Sequence, residues 1–242
     1  MKKVFIKTRN VKNFISFMSG LQELPPNIPK MGLVFGNYGL GKSETIQWWC
    51  FKNKCVYIRA NQGMTRKWLL SEIAQEMGER PNWNAQENFE LIERKLRENP
   101  QTIIIDEVDY LIEKKTVETL RDLHDRTGCP MVLVGMEYVD KKLSKYPHLL
   151  DRIYKTFKFD TYNKEDIKQI LAELSDIKIT PDGLEYLSTR GNQFRQIVKL
   201  INQIEKLAKT NQIVELNEHN LMELLNERKN IATLQATKQL YA

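Results

Sequence analysis

One short stretch constrains what this chain can fold into more than any other. Gly36-Asn37-Tyr38-Gly39-Leu40-Gly41-Lys42-Ser43 matches the pattern G-x-x-x-x-G-K-[ST] at every fixed position. The apolar run from Met31 to Phe35 predicts a buried strand before it, and the residues from Glu44 to Trp49 predict the first turns of a helix after it. A strand, a glycine-rich loop and a helix are the three parts that a phosphate-binding loop requires.

The residue types in this loop indicate what each contributes. The glycines let the backbone bend around an anion, so that amide N–H groups face it at the positive end of the helix. Lys42 is placed to reach the β- and γ-phosphates of a nucleotide, and the hydroxyl of Ser43 is placed to bind Mg²⁺. The predicted nucleotide-binding residues are Gly36, Asn37, Tyr38, Gly39, Leu40, Gly41, Lys42, Ser43 and Glu44.

Length, charge and cysteine usage narrow the class of protein. The 242 residues suffice for one large domain or two small ones, and the net charge of +6 permits a polyanionic partner without requiring one. Cys50, Cys55 and Cys129 show no metal-binding spacing, and so sparse a set is typical of reduced thiols in the cytosol. The sequence has no signal-peptide core and no bilayer-spanning run, so we expect a cytoplasmic protein without a membrane partner.

The secondary-structure pattern changes near residue 160. Up to there, apolar runs alternate with helical stretches, which predicts a parallel sheet covered by helices. The predicted strands are Met31–Phe35, Cys55–Arg59, Thr102–Ile105, Met131–Gly135 and Tyr154–Phe159, and Asp109–His124 predicts one helix. From Asn163 the period is helical only. We therefore expect an α/β P-loop NTPase domain at 1–160, a small all-helical lid at 161–228 and a tail at 229–242.

An acidic pair follows the third predicted strand. Asp106 and Glu107 come directly after a run of isoleucines, and the ends of parallel strands meet at the edge of the sheet where ligands bind. Together with the phosphate-binding loop, this pair predicts that Asp106 holds Mg²⁺ and that Glu107 acts as general base on the attacking water. The alternative is that such carboxylates cap a helix, as Asp109 can.

Two arginines complete a pattern that resembles the AAA+ ATPases from about residue 8 to 225. Arg152 lies in Leu-Asp-Arg directly before the last predicted strand, and Arg195 ends a Gly-Asn-x-x-Arg segment at the start of a lid helix. The resemblance implies ATP with Mg²⁺, a sensor II role for Arg195 at the chain's own nucleotide, and an arginine-finger role for Arg152 in a neighbouring subunit's site. A surface salt bridge is the alternative for each arginine.

One position departs from that family's pattern. Members usually carry a polar sensor I residue directly after the fourth strand, where this chain has Met136. Methionine orients a water molecule poorly, although Glu137 could substitute if the register shifts by one residue. The departure implies slow hydrolysis.

Within the family, the chain looks most like the DNA-transposition ATPases, the branch of the phage Mu B protein, TnsC and IstB. The residues that carry this resemblance are Leu-Val-Gly at 133–135 and Asp-Glu-Val-Asp-Tyr-Leu at 106–111. The resemblance implies a homo-oligomer, either a ring or a helical filament, that assembles on double-stranded DNA without sequence preference and recruits a transposase or another recombination protein. The predicted DNA contacts are Arg66, Lys67, Lys114 and Lys115, and ordinary solvated charge is the alternative.

Two other functions remain open on the sequence. A helicase loader or replication-initiation ATPase would share every catalytic residue but engage single strands, for which Tyr38 and Tyr138 are the loop aromatics that could stack on bases. A nucleotide-gated scaffold with little hydrolysis is favoured by Met136 and opposed by the intact Glu107 and Arg152.

Overall fold

The computed structural model of the chain describes residues 2, 4–211, 213 and 215–225, which form two compact units. One unit is Asn10–Asp160, and the other joins the residues up to Arg9 with those from Thr161. The segment before residue 10 thus belongs to the second unit and not to the unit that contains the sheet. Arg9 contributes to this grouping: it donates to the Thr161 carbonyl at 3.0 Å and pairs with Asp166. The domain limits themselves stay a prediction, and the tail at 229–242 lies outside the described residues.

The first unit alternates helices with parallel strands. Its elements are α1 (Arg9–Gln22), β1 (Met31–Phe35), α2 (Lys42–Asn53), β2 (Val56–Arg59), α3 (Arg66–Glu76), α4 (Ala85–Glu98), β3 (Ile103–Asp106), α5 (Asp109–Glu113), α6 (Glu118–Thr127), β4 (Met131–Gly135), α7 (Val139–Leu143), α8 (Pro147–Leu150) and β5 (Ile153–Lys158). Every predicted strand is present, with ends shifted by at most one residue. The short helices α7 and α8 were not predicted.

The sheet has the order β2-β3-β4-β1-β5, and every neighbouring pair is parallel. All the strands therefore end at one edge, which places the loop after β1 and the acidic pair after β3 on the same side of the molecule. β4 lies between β1 and β3, so its own C-terminal residues also reach this edge.

Helices cover both faces of this sheet. Side chains alternate along each strand, and Leu33, Ile105 and Leu133 join the core formed with α3, α4, α5 and α6. An aromatic cluster packs with α1 and α2 around β5; its rings are those of Phe14, Phe17, Trp49, Phe157 and Phe159. Burial on both faces explains why the inner strands are continuous apolar runs.

The prediction of a single helix from Asp109 to His124 was wrong. The structure ends α5 at Glu113 and begins α6 at Glu118. Lys115 adopts φ 58°, in the left-handed region, and the amide of Thr116 bonds back to the Leu111 carbonyl at 2.9 Å. The apolar spacing continues across the break, so periodicity alone could not reveal it.

The second unit is mostly helical. It contains α9 (Lys164–Leu174), β6 (Lys178–Ile179), α10 (Pro181–Arg190), α11 (Phe194–Thr210), β7 (Glu215–Leu216) and a helical segment at 218–225. Two of its helices have side-chain caps: Asn163 forms a capping box with Asp166, and Thr180 accepts from the Gly183 amide. The parallel pairing of β6 with β7 was not expected of an all-helical lid.

Candidate nucleotide-binding site

The phosphate-binding loop, Gly36–Ser43, connects β1 to α2 and has an unusual backbone. Gly36, Gly39 and Gly41 adopt φ values of 151°, 72° and 85°, a region that side chains with a Cβ rarely enter. Gly41 occupies the N-cap of α2, and no side chain caps that end of the helix. The amide groups of the first helical turn are therefore available to an anion.

Lys42, the first residue of α2, points back into this loop. Its ammonium donates to the carbonyls of Gly36 at 2.6 Å and Asn37 at 2.8 Å. Burial lowers the pKa of Lys42, while the nearby carboxylates, led by Asp106, act in the opposite direction. The loop lysine and the acidic pair after β3 are thus close enough for their charges to interact.

Asp106 is the last residue of β3 and is 2 % exposed. One carboxylate oxygen accepts from the amide of Glu107 at 2.9 Å, and the other accepts from the hydroxyl of Tyr57 at 2.9 Å. Burial, followed by the charge of Asp106, raises the pKa of Tyr57, so this hydroxyl stays protonated as a donor. Tyr57 therefore fixes the orientation of the predicted magnesium ligand.

Glu107 follows in a strained conformation. Its φ of 56° lies in the left-handed region, and its Oε1 is 2.5 Å from a guanidinium nitrogen of Arg59. The contact raises the pKa of Arg59 through the hydrogen bond and the charge of Glu107. β2 thus holds both acidic residues, Asp106 through Tyr57 and Glu107 through Arg59.

Asp109 joins the acidic segment to the end of β4. Its carboxylate accepts from the amide of Met136 at 2.9 Å and from the ammonium of Lys142 at 2.8 Å. Met136 directly follows β4 and is partly exposed, while Glu137 pairs with Lys158 at 3.2 Å. Asp109 therefore serves as a positioning residue for the predicted sensor segment, and it also begins α5.

The residues at this edge suit a magnesium ion bound together with a nucleotide. Within the described part of the chain, no group of at least three histidine, cysteine or acidic side chains could hold a metal alone. Mg²⁺ at nucleotide sites needs only one or two protein oxygens besides phosphates and water. The Ser43 hydroxyl and the Asp106 carboxylate supply such oxygens, and each Asp106 oxygen has lone pairs beyond its one hydrogen bond.

The two predicted arginines lie in different units. Arg152, between α8 and β5, makes two contacts with Asp125, at 2.9 and 3.2 Å, and one with Asp151 at 2.7 Å. Asp125 is the main cause of the raised pKa of Arg152. Arg195 is an exposed residue in the first turn of α11. The finger and sensor II roles stay predictions.

The four predicted DNA contacts are all exposed. Arg66 and Lys67 open α3, where the ammonium of Lys67 lies 5.7 Å from the ring centroid of Trp83. Lys114 and Lys115 form the break between α5 and α6. Exposure is necessary for phosphate contacts but is equally true of solvated charges, so the DNA-binding role stays a prediction.

Three residues of interest in the structure were not predicted from the sequence. Tyr57 and Arg59 contact the acidic pair across almost fifty positions of chain, and a strand-internal tyrosine or arginine carries no signal for such a contact. Trp83 lies between α3 and α4 and is 91 % exposed. Its position between two polar residues, Asn82 and Asn84, was the sequence feature that could have indicated an exposed tryptophan.

Comparison with known proteins agrees with this geometry. Residues 29–143 match the family model described as AAA domain. A "Potential ATP-binding protein" from Staphylococcus aureus is 35 % identical over 121 residues, which cover 45 % of this chain and 44 % of that relative. The match therefore spans less than half the length of either protein.

Solved structures extend the likeness to almost the whole chain. The Aeropyrum pernix ORC2 protein in its ADPNP-ADP complexes has a TM-score of 0.68 at 16 % identity, covering 93 % of this chain and 68 % of that one. Drosophila ORC bound to DNA scores 0.65 at 16 % identity, with 97 % and 65 % covered. Domain III of the Thermotoga maritima replication initiation protein DnaA scores 0.57 at 18 % identity, with 92 % and 94 % covered.

The sheet order, the loop and these likenesses define the class: the fold is that of a P-loop NTPase of the AAA+ type. The match to the family model is confined to residues 29–143. None of the helices in the described residues has the length and apolar character that crossing a membrane requires.

Proposed function

We propose that this chain is a DNA-dependent AAA+ ATPase that binds ATP with Mg²⁺, hydrolyses it slowly and forms homo-oligomers on DNA. The observation that carries the proposal is that Lys42, after β1, and the buried Asp106 with Glu107, at the end of β3, lie at one edge of the parallel sheet. Phosphoryl transfer needs positioned positive charge and an oriented water molecule more than covalent chemistry, and these residue types supply both.

The roles follow from the contacts. The Lys42 ammonium donates to two backbone carbonyls, which it can exchange for phosphate oxygens. Mg²⁺, when bound, would neutralise phosphate charge. Glu107 would take the proton of the attacking water after leaving Arg59, because the guanidinium of Arg59 occupies its Oε1.

Measured phosphate release tests the catalytic part. Glu107→Gln is expected to lower the rate about a hundredfold or more, since it removes the general base without changing shape. Glu113→Gln, an exposed glutamate on α5, is the matched control and is expected to leave the rate unchanged. Equal, near-background rates in wild type and Glu107→Gln would instead support a nucleotide-gated scaffold, as the methionine at position 136 would allow.

Electron microscopy with random-sequence duplex DNA, at low and moderate salt, tests the assembly part. Rings or filaments that need both ATP and duplex would support the proposal. Isolated particles that ignore duplex under every condition would contradict it.

The biological setting has two candidates. The likeness to DnaA, a replication initiation protein, supports an initiator or helicase-loader type of function more than the transposition function implied by Leu-Val-Gly and Asp-Glu-Val-Asp-Tyr-Leu. The relative affinity for duplex and single strands separates them. Exclusive binding to duplex would favour transposition, and ATP-dependent binding to single strands would favour initiation.

A further inference from the structure

The feature behind this inference is a small surface at the start of α3 and in the loop before α4. We call it the tryptophan surface and define it as Lys67, Trp68, Arg80 and Trp83. All four side chains are exposed, and Trp83 is 91 % exposed. At this exposure the indole ring of Trp83 contributes little to the core and presents its face to solvent.

The backbone that carries Trp83 is fixed on both sides. The amide of Asn82 donates to the side-chain oxygen of Asn88 at 2.5 Å, and Asn88 is fully buried. Asn84 caps α4 by accepting from the amide of Glu87 at 2.8 Å. Trp83 is therefore an exposed ring on an ordered loop, which reduces the entropy lost when a ligand stacks on it.

A cation lies over the ring, because the ammonium of Lys67 is 5.7 Å from the Trp83 ring centroid. Two further cations are close in sequence: Arg66 precedes Lys67, and Arg80 lies in the same loop as Trp83. Trp68, the residue after Lys67, is 42 % exposed, and its indole donates to Glu72 at 2.5 Å. A flat aromatic face flanked by positive charge is the arrangement that binds an unpaired base and the phosphates beside it.

We propose that the tryptophan surface binds single-stranded nucleic acid, with one base stacked on Trp83 and the adjoining phosphates contacted by Lys67 and Arg80. Bases in a duplex are already stacked on each other, so an exposed ring gains little from double-stranded DNA. This inference rests on the proposed DNA-binding function. It assigns Lys67, which was predicted to contact duplex DNA, to a single strand instead.

Fluorescence anisotropy of labelled oligo(dT), with the full chain and ATP, tests this. Trp83→Ala is expected to weaken binding roughly tenfold or more, because stacking on one aromatic side chain accounts for that much affinity. Trp83→Phe is expected to recover most of it. Phe51→Ala, at an 88 % exposed aromatic on α2, is the matched control and should bind like wild type. Quenching of tryptophan fluorescence by oligo(dT) should shrink in Trp83→Phe.

The outcomes separate this inference from the proposed function. Unchanged oligo(dT) affinity in Trp83→Ala, or equal loss in Trp83→Phe and Trp83→Ala, overturns stacking on Trp83. Duplex binding without oligo(dT) binding overturns the inference alone and leaves the surface to a protein partner. Failure to bind either form of DNA overturns the proposed DNA-binding function as well. Parallel titration with oligo(rU) shows whether the ligand includes RNA.

Discussion

At the scale of single residues, contacts from β2 hold both residues of the acidic pair. Glu107 has a positive φ, which is a backbone cost, and its carboxylate contacts the guanidinium of Arg59. Arg59 and Glu107 are 59 % and 32 % exposed at their side chains, so the ion pair is weak enough to open. The Arg59–Glu107 ion pair therefore holds the proposed general base only weakly.

Removing the restraint is expected to raise basal phosphate release. Arg59→Gln leaves Glu107 free, and an exposed ion pair contributes about 0.2–1 kcal/mol, so the rate should rise up to about fivefold. Arg97→Gln, an exposed arginine paired with Glu93 at 2.9 Å on α4, is the matched control. Steady-state phosphate release measures both. A fall to the level of Glu107→Gln would show instead that Arg59 is needed for hydrolysis.

Some residues of the site could be predicted from the sequence and others could not. Lys42, Ser43, Asp106 and Glu107 could be predicted because their spacing and the parallel topology place them at one edge. Tyr57 and Arg59 could not, since their contacts depend on β2 lying beside β3. Register between neighbouring strands, and not local pattern, places these side chains opposite the acidic pair.

At the scale of elements, the helix caps were predictable and the break between α5 and α6 was not. Thr65, Asn84 and Asn163 each cap the helix that follows, and a short polar side chain before an apolar stripe signals this directly. The break at Lys114 and Lys115 has no glycine or proline to mark it. It depends on Lys115 adopting φ 58°, which only the tertiary structure enforces.

The capping box of α9 leads to a prediction about stability. Asn163 accepts from the Asp166 amide at 2.9 Å, and Asp166 accepts from the Asn163 amide at 3.1 Å. Asn163→Ala is expected to lower the free energy of unfolding by about 1 kcal/mol. Urea denaturation measures it, with Asn202→Ala inside α11 as a control expected to be neutral or slightly stabilising. An equal loss in both variants would refute a specific role for the cap.

At the scale of the whole molecule, charge governs the predicted contact with DNA. The chain carries a net charge of +6, and each phosphate contact releases counterions on binding. The slope of log affinity against log salt therefore reports the number of phosphate contacts, whereas the affinity at a single salt concentration does not. The break between α5 and α6 offers a way to remove one predicted contact without straining the fold.

Lys115→Gly removes a charge at a backbone position that glycine prefers. The slope of log affinity against log salt for duplex DNA is expected to become shallower by about 0.9, the value of one phosphate contact. Stability should be retained, because glycine adopts positive φ without the cost that lysine carries there.

Lys54→Gly is the matched control for this prediction. Lys54 has φ 51° at the C-terminal end of α2 and has no predicted DNA contact, so the same substitution in the same conformation should leave the slope unchanged. Anisotropy titrations at several salt concentrations measure both variants, with thermal unfolding as the check on folding. If both slopes become shallower by the same amount, net charge governs binding and Lys115 makes no specific phosphate contact. If neither falls, Lys115 is solvated in the complex, and the predicted contacts reduce to those on α3 and Lys114.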